Sequence, residues 1–335
     1  MARVIAVRDP TPASLEECIE ALSTWGFDPA EEESLSHAAN WLKRLGNNTR
    51  FLGDALVDML AGRGPAAMDA PMMQASGGNR IMLAPPGRGK FIISAEIWPS
   101  IDEHALRASG PEAVGYGIVR DHNFDFLTLG YFGPGIAVDD YEYDYQSVTG
   151  WRGEPVMLRP LGRSRLEPGR LVHYRAHHDI LCLHPPESLS ATLTLSHTHA
   201  VHGWLDHYVF ERRKGSAGAF RVAEALGHGP SETFLRIAVA LGGEEASDLA
   251  RQFGRHHPSD RMRLTAWRAL AGVAANDAAR DEVWREAEGS GSRLVSQAAK
   301  RARGDPAFAA KSPRTGSAGA NAVPALTPSA GGVDS

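Results

Sequence analysis

The sequence predicts an α+β protein in which helices flank a central antiparallel β-barrel. Two observations predict it. Hydrophobic periodicity switches from helical to alternating near residue 76 and returns to helical near residue 215. Between those points Gly and Pro clusters break the chain into short β-rich runs, with no βαβ alternation and no GxGxxG fingerprint, so a dinucleotide-binding sheet is not indicated. The expected parts are a helical region over 1–75, a barrel over 76–214, helical hairpins over 215–303 and a disordered tail over 304–335.

The amino-terminal region divides into helices at Ala13–Leu22, Pro29–Leu45 and Thr49–Leu60, the first capped by Thr11 and Pro12. These are amphipathic and carry no visible chemistry. Strands are expected at Arg80–Leu83, Lys90–Trp98, Phe124–Tyr131, Tyr141–Tyr145, Val156–Leu158, Arg170–Tyr174, Ile180–Leu183, Leu189–Leu195 and Tyr208–Phe210. Turn signals separate them at Pro85-Pro86-Gly87, Gly133-Pro134-Gly135, Pro168-Gly169 and Pro185-Pro186. Many short strands at this spacing indicate a barrel or jelly roll, which leaves few sheet edges open. Helices are expected again at Ala219–Leu226, Ser231–Leu241, Glu244–His256, Pro258–Ala275, Asp277–Glu288 and Ser290–Arg303. Arg263–Ala266 resembles Arg293–Ser296, and Asp248–Ala250 resembles Asp281–Val283, which suggests stacked hairpins of the HEAT type with arginines such as Arg263 and Arg285 exposed.

With 335 residues, 43% hydrophobic and 22% charged, the chain has material for about two packed domains. A net charge of -5 and a pI near 6.3 provide no polycationic footprint, which excludes nucleic acid and an anionic membrane surface as main partners. No leader and no membrane-spanning run are visible, and the two cysteines, Cys18 and Cys182, form no CxxC pair. A cytoplasmic location follows, with a small-molecule substrate and a protein partner or homodimer as the expected company.

Histidine distribution is the most informative feature. Of 14 histidines, eight fall between residues 173 and 207. Imidazoles on strands and strand turns can converge inside a barrel and hold a metal, although turn histidines without a ligand are the commoner case. Upstream, alternation through Arg120–Phe132 sets His122, Phe124, Phe126 and Thr128 on one face and Asp121, Asn123 and Asp125 on the other. Further on, Pro168-Gly169 opens a turn, a strand, and a second turn carrying His177 and His178.

Across its central region this order of elements resembles the cupin superfamily, whose first motif carries an HxH pair and a carboxylate and whose second carries a Pro-Gly turn and a third histidine. The resemblance implies a cupin-like barrel and a non-haem Fe(II) or other divalent ion held by His122, His178 or His177, and Glu142. It also implies an oxygenase acting on a small polar metabolite, with Tyr141, Tyr143, Tyr174 and Arg120 as candidates to orient substrate. The sequence departs from the pattern at Arg120, where the first histidine of the pair would stand, and at Leu181, near the expected third ligand. The alternative reading is a barrel that has lost its metal ligands and binds or scaffolds, with Arg120 pairing an acid or a carboxylate ligand. A Gly-x-Ser-x-Gly elbow is absent, and Gly87-Arg88-Gly89-Lys90 lacks the remaining elements of a Walker loop.

Overall fold

The computed structural model describes residues 2–62, 79–87, 89–199, 202, 205–213, 218–226 and 231–304. The tail expected at 304–335 lies outside them apart from Gly304. The chain divides into two compact units between Ser231 and Glu232.

In the first unit, a short strand, β1 (Arg3–Ile5), precedes α1 (Leu15–Trp25), α2 (Glu32–Asn47) and α3 (Phe51–Leu60). The cap of α1 is Ser14 rather than Thr11. Its hydroxyl accepts from the Glu17 amide at 3.1 Å, and the Glu17 carboxylate accepts from the Ser14 amide at 2.8 Å. The apolar stripes of the three helices, including Leu22, Leu42, Leu45 and Leu52, pack on Ile93, Leu127, Leu129, Leu193 and Leu195 of the sheet beneath them.

Twelve further strands follow: β2 (Arg80–Ala84), β3 (Phe91–Trp98), β4 (Val119–Arg120), β5 (Phe126–Phe132), β6 (Ile136–Glu142), β7 (Pro155–Met157), β8 (Arg159–Leu166), β9 (Leu171–Tyr174), β10 (Asp179–His184), β11 (Ser190–His197), β12 (His207–Arg212) and β13 (Ala219–Leu226). One sheet has the order β1-β9-β5-β11-β3-β2 and the other β7-β13-β12-β4-β10-β6-β8. Within them β3-β11-β5-β9 and β4-β10-β6-β8 share out successive strands as a jelly roll does, and cupins are built on that architecture. The antiparallel sheets and flanking helices are consistent with the expected cupin-like α+β fold.

Between the sheets lies an apolar core of Trp98, Phe126, Val172 and Tyr174 from one and Ile136, Val138, Leu166, Leu181 and Leu183 from the other. The second sheet carries another core on its opposite side, where Tyr141, Ile180 and Cys182 meet Tyr208, Phe210, Phe220 and Val222. Alternation along β10 explains the division, since Leu181 and Leu183 face one core and Ile180 and Cys182 the other.

Three local expectations change. Ala219–Leu226 is a strand, not a helix: Phe220 and Val222 alternate into the second core and the segment pairs with β12, which overrides its alanine content. The expected strand Tyr141–Tyr145 instead begins at Ile136 and ends at Glu142, with a 3₁₀ turn at Tyr145–Ser147. Strand β8, rich in arginine and largely exposed, has no apolar alternation to announce it and is held by pairing with β6.

The second unit contains the helices Glu244–His256, Asp260–Gly272, Asp277–Glu288 and Arg293–Gly304, preceded by Ser231–Leu241, close to the positions that periodicity gave. Trp267 is fully buried and its indole N–H donates to the Gly254 carbonyl at 3.0 Å. Arg263 is largely buried rather than exposed, because its guanidinium binds the carbonyls of Gly254 and Ser290 at helix ends. The HEAT-type reading goes no further than this succession of helices. Among the described residues, no helix is long and apolar enough to cross a membrane.

Candidate functional site

A cavity of about 60 Å³ lies between the two sheets. Strands β3, β5 and β11 turn Glu96, Trp98, Thr128, Thr192, Thr194 and Ser196 toward it. Arg120, Ile136, Leu166, Leu181 and Leu183 face them from the other sheet, and His122, Phe124, Phe126, Tyr174 and Arg80 complete the wall. The face predicted from alternation, His122, Phe124, Phe126 and Thr128, is thus a cavity face. The other face is structural: Asp121 accepts from the Tyr208 amide and the Tyr143 hydroxyl, the Asn123 amide donates to the His202 carbonyl, and Asp125 meets His173 Nε2 at 3.0 Å.

The charges in the cavity are unequal. Glu96 is buried and accepts from Arg80 Nε at 3.0 Å, Ser94 Oγ at 2.7 Å, Thr192 Oγ1 at 3.2 Å and Thr194 Oγ1 at 2.7 Å. Its charge is matched by Arg80 and its lone pairs are filled. The Arg120 side chain has no hydrogen bond or ion pair among the described residues, and its Nε is buried without a partner. Burial, and then the charge on Arg80, lower its pKa from the ordinary value. One positive charge therefore remains uncompensated in the cavity. Beside it, burial first and Arg120 second hold His122 well below the usual imidazole value, so the ring is neutral at pH 7. Its Nδ1 has no partner, and the ring lies edge-on to Phe126 at 4.9 Å between centroids. Tyr174 stacks on Phe126 at 5.1 Å and donates its hydroxyl to Asp140 at 3.2 Å.

The other sequence-derived candidates stand elsewhere. The amide of His177 donates to the His122 carbonyl at 2.8 Å, but its ring packs on Tyr145 at 4.2 Å and lies 3.9 Å from the Asp121 carboxylate. His177 is not part of the cavity wall. Tyr141 sits in the second core, where Arg212 donates to its hydroxyl at 3.0 Å, and Tyr143 is buried with its hydroxyl on Asp121. His178 and Glu142 do come together, with Asp179 as the third member, their ligand atoms within 4.8 Å of one another. His122 is not in that group.

A metal at the position implied by the cupin resemblance does not fit these residues. Arg120 and Leu181 are directly opposite across the β4–β10 ladder and both line the cavity, so an ion there would face a guanidinium and an isobutyl group beside a single imidazole. The group Glu142, His178 and Asp179 has a donor set compatible with a divalent ion. Its carboxylates are engaged: Arg159 binds Glu142, while Arg175 binds Asp179 at 2.8 Å, contacts Glu142 at 3.6 Å and reaches His178 Nδ1 at 2.9 Å. Burial pushes Asp179 up, yet the hydrogen bonds and charge of Arg175 prevail and its pKa is lowered.

Sequence reasoning missed Glu96 and Arg80. The signal was present in Ile93-Ser94-Ala95-Glu96-Ile97-Trp98, a strand whose alternation places a carboxylate in an apolar run.

No family model and no curated protein matches the chain. Among solved structures, a chain from "Crystal structures of DMSP lyases RdDddP and RnDddQII" aligns at 13% identity and a TM-score of 0.24, covering 59% of this chain and 80% of its own. DMSP lyase DddQ from Ruegeria pomeroyi aligns at 13% identity and a TM-score of 0.22, covering 60% and 78% respectively. Fe(II)-HppE with an alternative substrate aligns at 10% identity and a TM-score of 0.21, covering 55% and 99%. Likeness at this level carries no argument about activity, and the fold assignment stands on the sheet order itself.

Proposed function

We propose that the protein is a cupin-like jelly roll that binds a small acidic metabolite inside its barrel, with Arg120 as the anchor. The observation that carries this reading is the partly buried guanidinium on the cavity wall, which has no partner among the described residues. A charge taken out of water without a partner is costly, and a carboxylate or similar oxyanion is the partner whose geometry matches a guanidinium. Glu96 does not serve, because Arg80 and three hydroxyls already occupy it.

A second reading, a divalent metal such as Fe(II) held by Glu142, His178 and Asp179, is favoured by the proximity of those three residues. It requires Arg175 to release Asp179. Titration of the purified protein with small carboxylates by isothermal calorimetry tests the first reading, which expects saturable binding that Arg120→Gln weakens at least about tenfold. Elemental analysis after Fe(II) supplementation tests the second. Stoichiometric metal lost in Glu142→Ala, together with carboxylate binding indifferent to Arg120, would reverse their order.

A further inference from the structure

We infer that the ligand is a compact 2-oxo or 2-hydroxy monocarboxylate, its carboxylate on Arg120 and its neighbouring oxygen on His122. This inference rests on the acidic-metabolite reading and narrows it.

The net charge of the cavity specifies a monoanion. Arg80 is spent on Glu96, so Arg120 offers one positive charge, and a second carboxylate on the ligand would meet Glu96 across the barrel. Spacing specifies the neighbouring oxygen. Arg120 and His122 are two residues apart and both line the cavity, which on extended chain separates their backbones by about 6.6 Å and lets the two side chains flank one small headgroup. The His122 ring is neutral and makes no hydrogen bond to the protein among the described residues, while part of the residue's surface remains open. A neutral imidazole presents one donor and one acceptor, so it can receive a hydroxyl proton or donate to a keto oxygen. The rest of the wall is mixed. The hydroxyls of Thr192 and Thr194 are directed to Glu96, while Thr128 and Ser196 share the wall with Trp98, Phe124, Phe126 and Leu183.

The test uses matched acids that differ only at the second carbon: pyruvate against propanoate, and 2-oxobutanoate against butanoate. Affinities are measured by calorimetry on the full chain and on Arg120→Gln, His122→Gln and His122→Phe, with thermal melts confirming that each variant folds. The expected result is that each oxo acid binds at least about tenfold tighter than its partner, one hydrogen bond's worth. Either His122 variant should bring that ratio close to one, and Arg120→Gln should weaken all four acids. Equal affinity within each pair, with Arg120 still required, would overturn the inference and leave the carboxylate reading standing. Preference for succinate over both oxo acids would do the same. Absence of binding at millimolar concentration, or binding indifferent to Arg120, would remove both.

Discussion

Burial lowers the pKa of both Arg120 and His122, and this gives the imidazole a signature in stability. The folded-state pKa of His122 lies well below 6.5, whereas the unfolded chain titrates near 6.5. Above pH 7 neither state carries the proton, and stability is unaffected. Below pH 6.5 the unfolded state takes up a proton that the native state refuses, so stability falls as pH falls, by up to about 1.4 kcal/mol per unit for this one group. Denaturant unfolding at pH 7.5 and 5.5 should show a loss for the wild type that is smaller in His122→Phe; equal losses would mean that other groups dominate. A second residue prediction concerns Asp121, fully buried beneath the Tyr208 amide and the Tyr143 hydroxyl. Asp121→Ala strands both donors and should cost about 2–4 kcal/mol in chemical denaturation. The cavity face of His122, Phe124, Phe126 and Thr128 was legible because alternation is a local property. The imagined convergence of His122, His178 and Glu142 was not, because which strand lies beside which decides it, and β10 sets Asp179, not His122, opposite Glu142.

Strands and helices were legible where one side of the element faces an apolar core, as in α2 or β11, and illegible where pairing alone holds them, as in β4 and β8. Glycines show where the fold tolerates no extra atom. A Cβ on Gly130 in β5 would lie 2.1 Å from the Glu167 carbonyl oxygen, at the turn that Pro168-Gly169 makes toward β9. The backbone there is doubly tied, since the Gly130 amide donates to the Arg170 carbonyl at 3.0 Å and its carbonyl accepts from the Gly169 amide at 2.8 Å. Gly130→Ala must therefore move backbone rather than a side chain, and a loss of about 1–3 kcal/mol is expected from its unfolding curve. In the helical layer, Leu42→Ala removes a fully buried side chain from the core beneath α2 and should cost about 2–5 kcal/mol by the same measurement.

At the scale of the molecule, the division between Ser231 and Glu232 leaves each unit with buried apolar residues of its own. Independent cores unfold independently. Calorimetry should resolve two transitions, and Trp267→Ala should lower one and leave the other in place; a single transition lowered as a whole would show that the units unfold together. Overall class was legible, because periodicity is written along the chain, but sheet order was not, because it is settled by contacts between distant segments. Strand β1 is the extreme case. Its three residues pair with Leu171–His173, so this segment has no partner until most of the barrel has been synthesised. The helices that follow it likewise emerge before the sheet that covers their apolar stripes. The nascent chain must carry those exposed stripes through much of its own translation, so a chaperone that shields amphipathic helices would act on this protein early, before the barrel closes.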